Sequence, residues 1–223
     1  MEEGIPYVDD IFGLLREEMK RFSPPVVSHL QWKRIRQTPF TVLVSCILSL
    51  RTKDEVTAEA SVRLLKRYDT PEKLSKLSVE EIESLIYPVG FYHTKARRLK
   101  EIAKTLVESY DGRVPDSFEE LLKLRGVGRK TANIVMTYGH KEEGYLAIDT
   151  HCHRIPNRLG WVNTRTPEET ERELKKLLPE GYWMEFNHLF VRFGQTICLP
   201  VSPKCSVCPI QKYCKRVGVK NHR

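Results

Sequence analysis

Gly126-Val127-Gly128-Arg129-Lys130, with Asp149 nineteen residues beyond the lysine, has the residue types and spacing for covalent chemistry beside a phosphate. Two glycines permit a tight hairpin whose backbone N–H groups can approach an anion closely. The lysine then opens a helix, facing whatever that backbone holds. Its amine is suited to carbonyl-like carbons, because it forms a Schiff base. An aspartate brought beside it can accept or return protons. A G-x-G turn between helices also fits an ordinary tight turn, and lysine usually ends up solvated. Asp149 also fits an N-cap for the helix that Thr150-His151 begins. The basic neighbours Arg125, Arg129 and Lys130 favour the phosphate reading, a combination that suits nucleic-acid chemistry.

A second constellation lies near the C-terminus. Cys198, Cys205, Cys208 and Cys214 are spaced C-x6-C-x2-C-x5-C. Four thiolates at short, unequal spacing can wrap one tetrahedral zinc or a [4Fe-4S] cubane, and spacing alone leaves both open. Around them stand Lys204, Lys212, Lys215, Arg216, Lys220 and Arg223, with no acidic residue after Cys198. A basic segment organised by a metal can dock on phosphates or simply staple the C-terminus. Cys46 and Cys152 read as buried apolar thiols.

The elements that must position these groups read as helices. Thr52-Lys53-Asp54-Glu55, Ser78-Val79-Glu80-Glu81 and Ser117-Phe118-Glu119-Glu120 fit capping boxes, and Thr70-Pro71 and Thr166-Pro167 place a cap before a first-turn proline. Residues 8–22 carry a helical apolar stripe. The apolar run from Thr41 to Leu50 fits a buried strand or a buried helix; no partner strand is evident, so it reads as helix. Leu121, Leu122 and Leu124 close a helix, Arg125–Gly128 turns, and Arg129–Val135 opens the next. Gly139–Gly144 reads as a polar loop. Length and helix count suggest two helical lobes with a cleft between them, and no repeat is visible.

The bulk properties agree. The 223 residues carry a formal net charge of +8 and a pI of about 9.2, which favours a polyanionic partner. No run reaches the roughly 18 apolar residues of a membrane span. The acidic start, Met1-Glu2-Glu3, does not resemble a signal peptide. A cytosolic or chromosome-bound protein is expected, and there six cysteines suggest metal ligation rather than disulfides.

Leu124-Arg125-Gly126-Val127-Gly128-Arg129-Lys130-Thr131-Ala132-Asn133, followed by Ala147-Ile148-Asp149-Thr150-His151, resembles the endonuclease III branch of the helix-hairpin-helix (HhH-GPD) DNA glycosylases. The resemblance runs from Thr41 to Cys214. It implies an all-α fold of two lobes with a DNA-binding cleft between them. One is a six-helix barrel domain over residues 32–143 that contains the hairpin. The other is formed by residues 1–31 and 144–223 and carries a [4Fe-4S] cluster on Cys198, Cys205, Cys208 and Cys214. By the same resemblance Lys130 is the Schiff-base nucleophile and Asp149 its acidic partner. The lysine separates enzymes that cleave the strand from relatives that only remove a base.

The resemblance also places DNA contacts at Arg125, Gly126, Gly128, Arg129 and His151. Two loops would fill the gap left by a flipped base. One is Ser49–Asp54, with Arg51 where many relatives have glutamine. The other is Val89–Lys95, with Phe91 where a leucine often stands. The cluster loop Leu199–Lys204 has one basic residue, fewer than relatives often carry. The implied function is a bifunctional DNA glycosylase/AP lyase of base excision repair. It would remove oxidised pyrimidines and cleave 3′ to the abasic site by β-elimination. The partner would be double-stranded DNA with a damaged base or abasic site, bound by a monomer in the cytoplasm at the nucleoid, with no membrane association. The competing readings are a mismatch or alkylated-base glycosylase on the same fold, a non-catalytic Fe–S DNA-binding module, and a zinc-stapled binding protein.

Overall fold

The computed structural model describes residues 4–22 and 35–223, and every regular element among them is helical. The chain divides into two compact units, Met1–Pro25 with Glu143–Arg223, and Val26–Glu142. The expected boundary at 31/32 lies outside the described residues.

After α1 (Val8–Met19) of the other unit, the described elements of the unit Val26–Glu142 are α2 (Pro39–Ser49), α3 (Asp54–Leu65), α4 (Pro71–Ser75), α5 (Val79–Ile86), α6 (Tyr92–Ser109), α7 (Phe118–Lys123) and α8 (Arg129–Ile134). A wider π turn, Val135–His140, extends α8. The apolar run Thr41–Leu50 is helical, as read from sequence, and α2 is buried from Phe40 to Leu48. A helix apolar on all sides is a central element, and α3, α6, α8 and the π turn pack around it. Its start is a capping box that sequence reading missed. Thr38 Oγ1 accepts from Thr41 N at 3.2 Å, while Thr38 N donates to Thr41 Oγ1 at 2.8 Å. The π turn comes close to this start, since a Cβ at Gly139 would lie 2.8 Å from Pro39 Cα. The polar loop expected from Gly139 therefore begins only after His140.

The other caps divide. Thr70, Thr166 and Ser78 cap α4, the helix Pro167–Leu177 and α5 as expected, Ser78 with the full box. Ser117 caps α7, but the Glu120 carboxylate is taken by the Tyr110 hydroxyl at 3.0 Å and by Lys123. Thr52 caps nothing: Lys53 is the residue before α3 and has no capping side chain. The Thr52 hydroxyl is claimed by Gly90 and Lys95, residues too distant in sequence for a local pattern to register.

The unit Met1–Pro25 with Glu143–Arg223 holds α1 (Val8–Met19), α9 (Thr150–Leu159), α10 (Pro167–Leu177) and α11 (Trp183–Thr196). The first helix ends at Met19, short of the expected Phe22, because Lys20, Arg21 and Phe22 donate to carbonyls three residues back. Its core joins Ile11, Phe12 and Leu15 to Ile155, Leu159, Phe186 and Phe190. The Phe186 and Phe190 rings stack at 4.1 Å and Phe12 lies 5.7 Å from Phe190. These aromatics fix α11 against α1, and α9 packs along α11.

Candidate active site and cluster segment

The hairpin forms where expected. Leu124 ends α7, Val127 N donates to Leu124 O at 3.0 Å, and Gly128 is the residue before α8. The two glycines serve different ends. Gly126 has φ 82°, left-handed backbone, and a Cβ there would also strike the Arg98 side chain of α6. Gly128 has φ −102°, open to any residue, and a Cβ there would meet nothing within 4 Å. The fold requires the first glycine; the second leaves the outer surface of the turn bare.

Lys130 is half-buried in the first turn of α8. It lies near enough to α2 that its charge acts on the Cys46 thiol, although burial dominates there and pushes that thiol up to about 12. Arg129 extends over the Phe118 ring, 4.9 Å from its centre. Arg125 is exposed and pairs with Glu101 of α6 at 3.0 and 3.2 Å. Arg98 and Glu101 thus brace the hairpin from α6. Neither was legible as a site residue, because their partners lie more than twenty residues away.

Asp149 belongs to the other unit and is the N-cap of α9. Its Oδ1 accepts from His151 N at 2.8 Å and from Cys152 N at 2.9 Å. The capping role read from sequence is real and directs the carboxylate to the positive end of α9. His151, in the same first turn of α9, sits against Gly194 of α11, where a Cβ would collide with the imidazole ring. Arg154 Nη2 lies 3.1 Å from His151 Nδ1 and donates to Cys198 O at 2.7 Å. It ties the start of α9 to the cysteine segment. Burial holds its guanidinium below the ordinary arginine value, and the Cys198 and Asp149 charges partly offset this.

The two loops thought to fill a gap in the duplex meet in the unit Val26–Glu142. Arg51 (φ 53°) and Phe91 (φ 59°) both hold left-handed backbone, a costly choice for residues with a side chain. Both are exposed, Phe91 by 63% of its surface, and the Arg51 guanidinium lies 5.8 Å from the Phe91 ring centre. A Cβ at Gly90 would lie 2.7 Å from Arg51 O, so glycine lets the loops touch.

Cys198, Cys205, Cys208 and Cys214 line one cavity whose other walls include Ile155, Phe193, Ile197 and Ile210. Two short turns, Cys205–Val207 and Gln211–Tyr213, bring the last three cysteines round it. Among the described residues, no three His, Cys, Asp or Glu side chains are placed to hold a single metal ion. Sulfurs spread around an apolar cavity suit a cubane, in which each iron takes one thiolate. Burial pushes the Cys208 thiol up to about 12, and the charges of the other three sulfurs add to the rise. Such a group ionises only with a compensating cation, which iron supplies. N–H donors complete the shell: Arg158 Nη1 points to Cys198 Sγ and Arg216 N to Cys214 Sγ, both at 3.4 Å. Arg158 also holds the loop through Leu199 O and Pro200 O, each at 2.7 Å. Cys46 and Cys152 are buried elsewhere, as expected.

Comparison with known proteins agrees with this geometry. Residues 44–180 match the family described as HhH-GPD superfamily base excision DNA repair protein, and residues 198–214 match the iron-sulfur binding domain of endonuclease III. The chain is 52% identical over 203 residues to endonuclease III of Thermotoga maritima, covering 91% of each. Its fold superposes on a trapped endonuclease III–DNA covalent intermediate with a TM-score of 0.78 and 32% identity, covering 93% of this chain and 95% of the other. A thermostable thymine-DNA glycosylase superposes with a TM-score of 0.79 and 26% identity, covering 94% of both chains.

Proposed function

The chain belongs to the endonuclease III family of the HhH-GPD superfamily and is a base-excision-repair DNA glycosylase and AP lyase with a [4Fe-4S] cluster, and we propose that oxidised pyrimidines in duplex DNA are its substrates. We assign the chemistry to Lys130 and Asp149. The observation that carries this is the half-buried amine in the first helical turn behind a hairpin whose second glycine leaves its outer surface bare.

In the proposed reaction the unprotonated Lys130 amine attacks C1′ of the damaged nucleotide. A new C1′–Nζ bond forms, the glycosidic bond breaks, and the base leaves with the electron pair and takes up a proton. The amine loses a proton to Asp149; its lone pair then forms the C1′=N bond of a protonated imine as the C1′–O4′ bond breaks, and O4′ takes the electron pair and the proton back from Asp149. The imine acidifies the C2′ proton. Removal of that proton expels the 3′ phosphate, so the strand breaks 3′ to the lesion, and water then releases Lys130. Asp149 suits the acceptor role because α9 already holds its carboxylate in place.

Gly126, Gly128 and Arg129 grip the backbone. Arg125 joins them once a phosphate displaces Glu101, and His151 contacts the DNA from the start of α9. Arg51 and Phe91 enter the space of the extruded base, Phe91 by wedging and Arg51 by bonding to the orphaned partner. Cys198, Cys205, Cys208 and Cys214 hold the cluster. When bound, it cross-links the C-terminal segment and organises its basic residues, and every reaction step proceeds without it. The enzyme acts as a monomer at the nucleoid; no helix among the described residues is long and apolar enough to cross a membrane.

The test is borohydride trapping during turnover on duplexes carrying thymine glycol, dihydrouracil, uracil, a G·T mismatch or an abasic site. A covalent adduct with the oxidised pyrimidines and the abasic site, lost in Lys130→Ala, is the expected result. Base removal without trapping would overturn the lyase assignment to Lys130. Preference for G·T would move the substrate to mismatches.

A further inference from the structure

Lys95 is a lysine where an apolar residue would be ordinary. It stands on the core side of α6 with Ala96, Leu99 and Ile102 and is 4% exposed. Its hydrogen-bond partners are neutral oxygens: Leu48 O at 2.8 Å, Leu50 O at 2.5 Å and Thr52 Oγ1 at 3.0 Å. Three acceptors match the three protons of an ammonium. Two of them, Leu50 O and Thr52 Oγ1, flank Arg51, the left-handed residue of the first loop. Lys95 N also donates to Phe91 O at 3.0 Å, the left-handed residue of the second. Thr52 Oγ1 accepts from Gly90 N at 3.2 Å as well and closes the brace between the loops.

A charge is buried here, and two residues with side chains are held in a costly backbone conformation. Such strain persists only where the surroundings over-determine it. The burial is severe enough to hold the ammonium down to about 8, with the Arg98 charge adding to the effect. Plain packing would be served as well by methionine. What the amine adds is a three-way tie between the end of α2, the Arg51 turn and the start of α6.

We propose that Lys95 is the positioning residue of the base-displacing loops, fastening the Leu48–Thr52 turn to the start of α6 so that Arg51 and Phe91 enter the duplex as one preformed pair. The proposal rests on the reading that Arg51 and Phe91 fill the gap.

The test uses the holoenzyme with Lys95→Met, Lys95→Arg and Thr52→Val. Single-turnover base removal is measured on a thymine-glycol duplex with 2-aminopurine opposite the lesion, whose fluorescence reports the orphaned partner. Borohydride trapping on a single-stranded abasic oligonucleotide is the control, because no partner base is displaced there. Lys95→Met should lower the duplex rate by about tenfold, the scale of one lost stacking contact, and abolish the fluorescence rise. Single-strand trapping should stay near wild type, Lys95→Arg should recover part of the rate, and Thr52→Val should fall between. A wild-type duplex rate and fluorescence rise in Lys95→Met, or equal losses on both substrates, would overturn the proposal. If Lys95→Met does not fold, Thr52→Val decides, and a wild-type response from it overturns the proposal. Unchanged fluorescence in Arg51→Ala and Phe91→Ala would instead sink the gap-filling reading on which the proposal stands.

Discussion

The guanidinium of Arg51 lies 5.8 Å from the centre of the Phe91 ring, and the two residues, forty apart in sequence, both hold left-handed backbone. A cation over a ring face is worth about 0.5–1 kcal/mol at an exposed site. That is less than the roughly 1–2 kcal/mol a single left-handed residue with a side chain costs. Fold stability therefore does not account for the pair, which is why we propose for it a role in holding DNA apart.

Phe91→Gly separates the two terms. It removes the backbone strain and the wedge together. Thermal stability should hold or rise, while kcat/KM on a lesion duplex should fall by a factor on the order of ten to a hundred, the scale of a base-stacking contact. Paired melting curves and single-turnover kinetics check this; a variant that loses stability but keeps its rate contradicts it.

The hairpin glycines should respond oppositely. Gly126→Ala places a Cβ in left-handed backbone and against Arg98, and should cost about 1–2 kcal/mol or more of stability. Gly128→Ala meets nothing in the protein and should stay within about 0.5 kcal/mol. It should weaken binding to abasic-site duplexes, because the new methyl occupies the surface proposed for the phosphate. Denaturant titration and fluorescence anisotropy read the two effects separately.

Asp149 can be divided in the same way. Asparagine keeps a capping oxygen for His151 N and Cys152 N, whereas alanine keeps none. Asp149→Ala should lose about 1 kcal/mol of stability and Asp149→Asn much less. Both should lower single-turnover base removal by about a hundredfold or more, the usual contribution of a proton-transfer group. An asparagine variant of near wild-type rate would leave Asp149 as a cap alone.

Arg158→Gln removes the guanidinium that donates to Cys198 Sγ, Leu199 O and Pro200 O. The cluster should still assemble, but its charge-transfer absorbance should bleach faster in air, because fewer donors offset the sulfur charge. Chelating the iron should lower the melting temperature and open residues 198–214 to protease. Bleaching at the wild-type rate would count against the Arg158 contact.

The pH dependence of stability carries the mark of Lys95. Its ammonium titrates near 8 in the fold, against 10.5 when free. Below 8 it is charged in both folded and unfolded chains, and its burial penalty is present in full. Between 8 and 10.5 the unfolded chain binds more protons, so this penalty fades as pH rises. The stability of the wild type relative to Lys95→Met should increase across that window in denaturant titrations. A flat difference would mean that Lys95 does not titrate there.

What the sequence determined by itself was the chemistry and its local frame. The hairpin, the lysine behind it, the Asp149 cap and the cysteine spacing are each set by residues a few positions apart, and short-range geometry leaves them little freedom. The same holds for Thr70, Ser78 and Thr166, whose capping partners lie three residues on. The tertiary structure decided everything that depends on competition between distant partners. Thr52 had a capping pattern and lost it to Gly90 and Lys95, 38 and 43 residues away. Lys95 entered the sequence reading only as the end of the second loop, and it is α6 that turns it inward; nothing local marked Arg98 or Glu101 as supports of the hairpin. Hydrogen-bond donors and strained backbone are committed only when packing has excluded water and fixed which oxygens are near, so their partners follow from the folded arrangement and not from spacing along the chain.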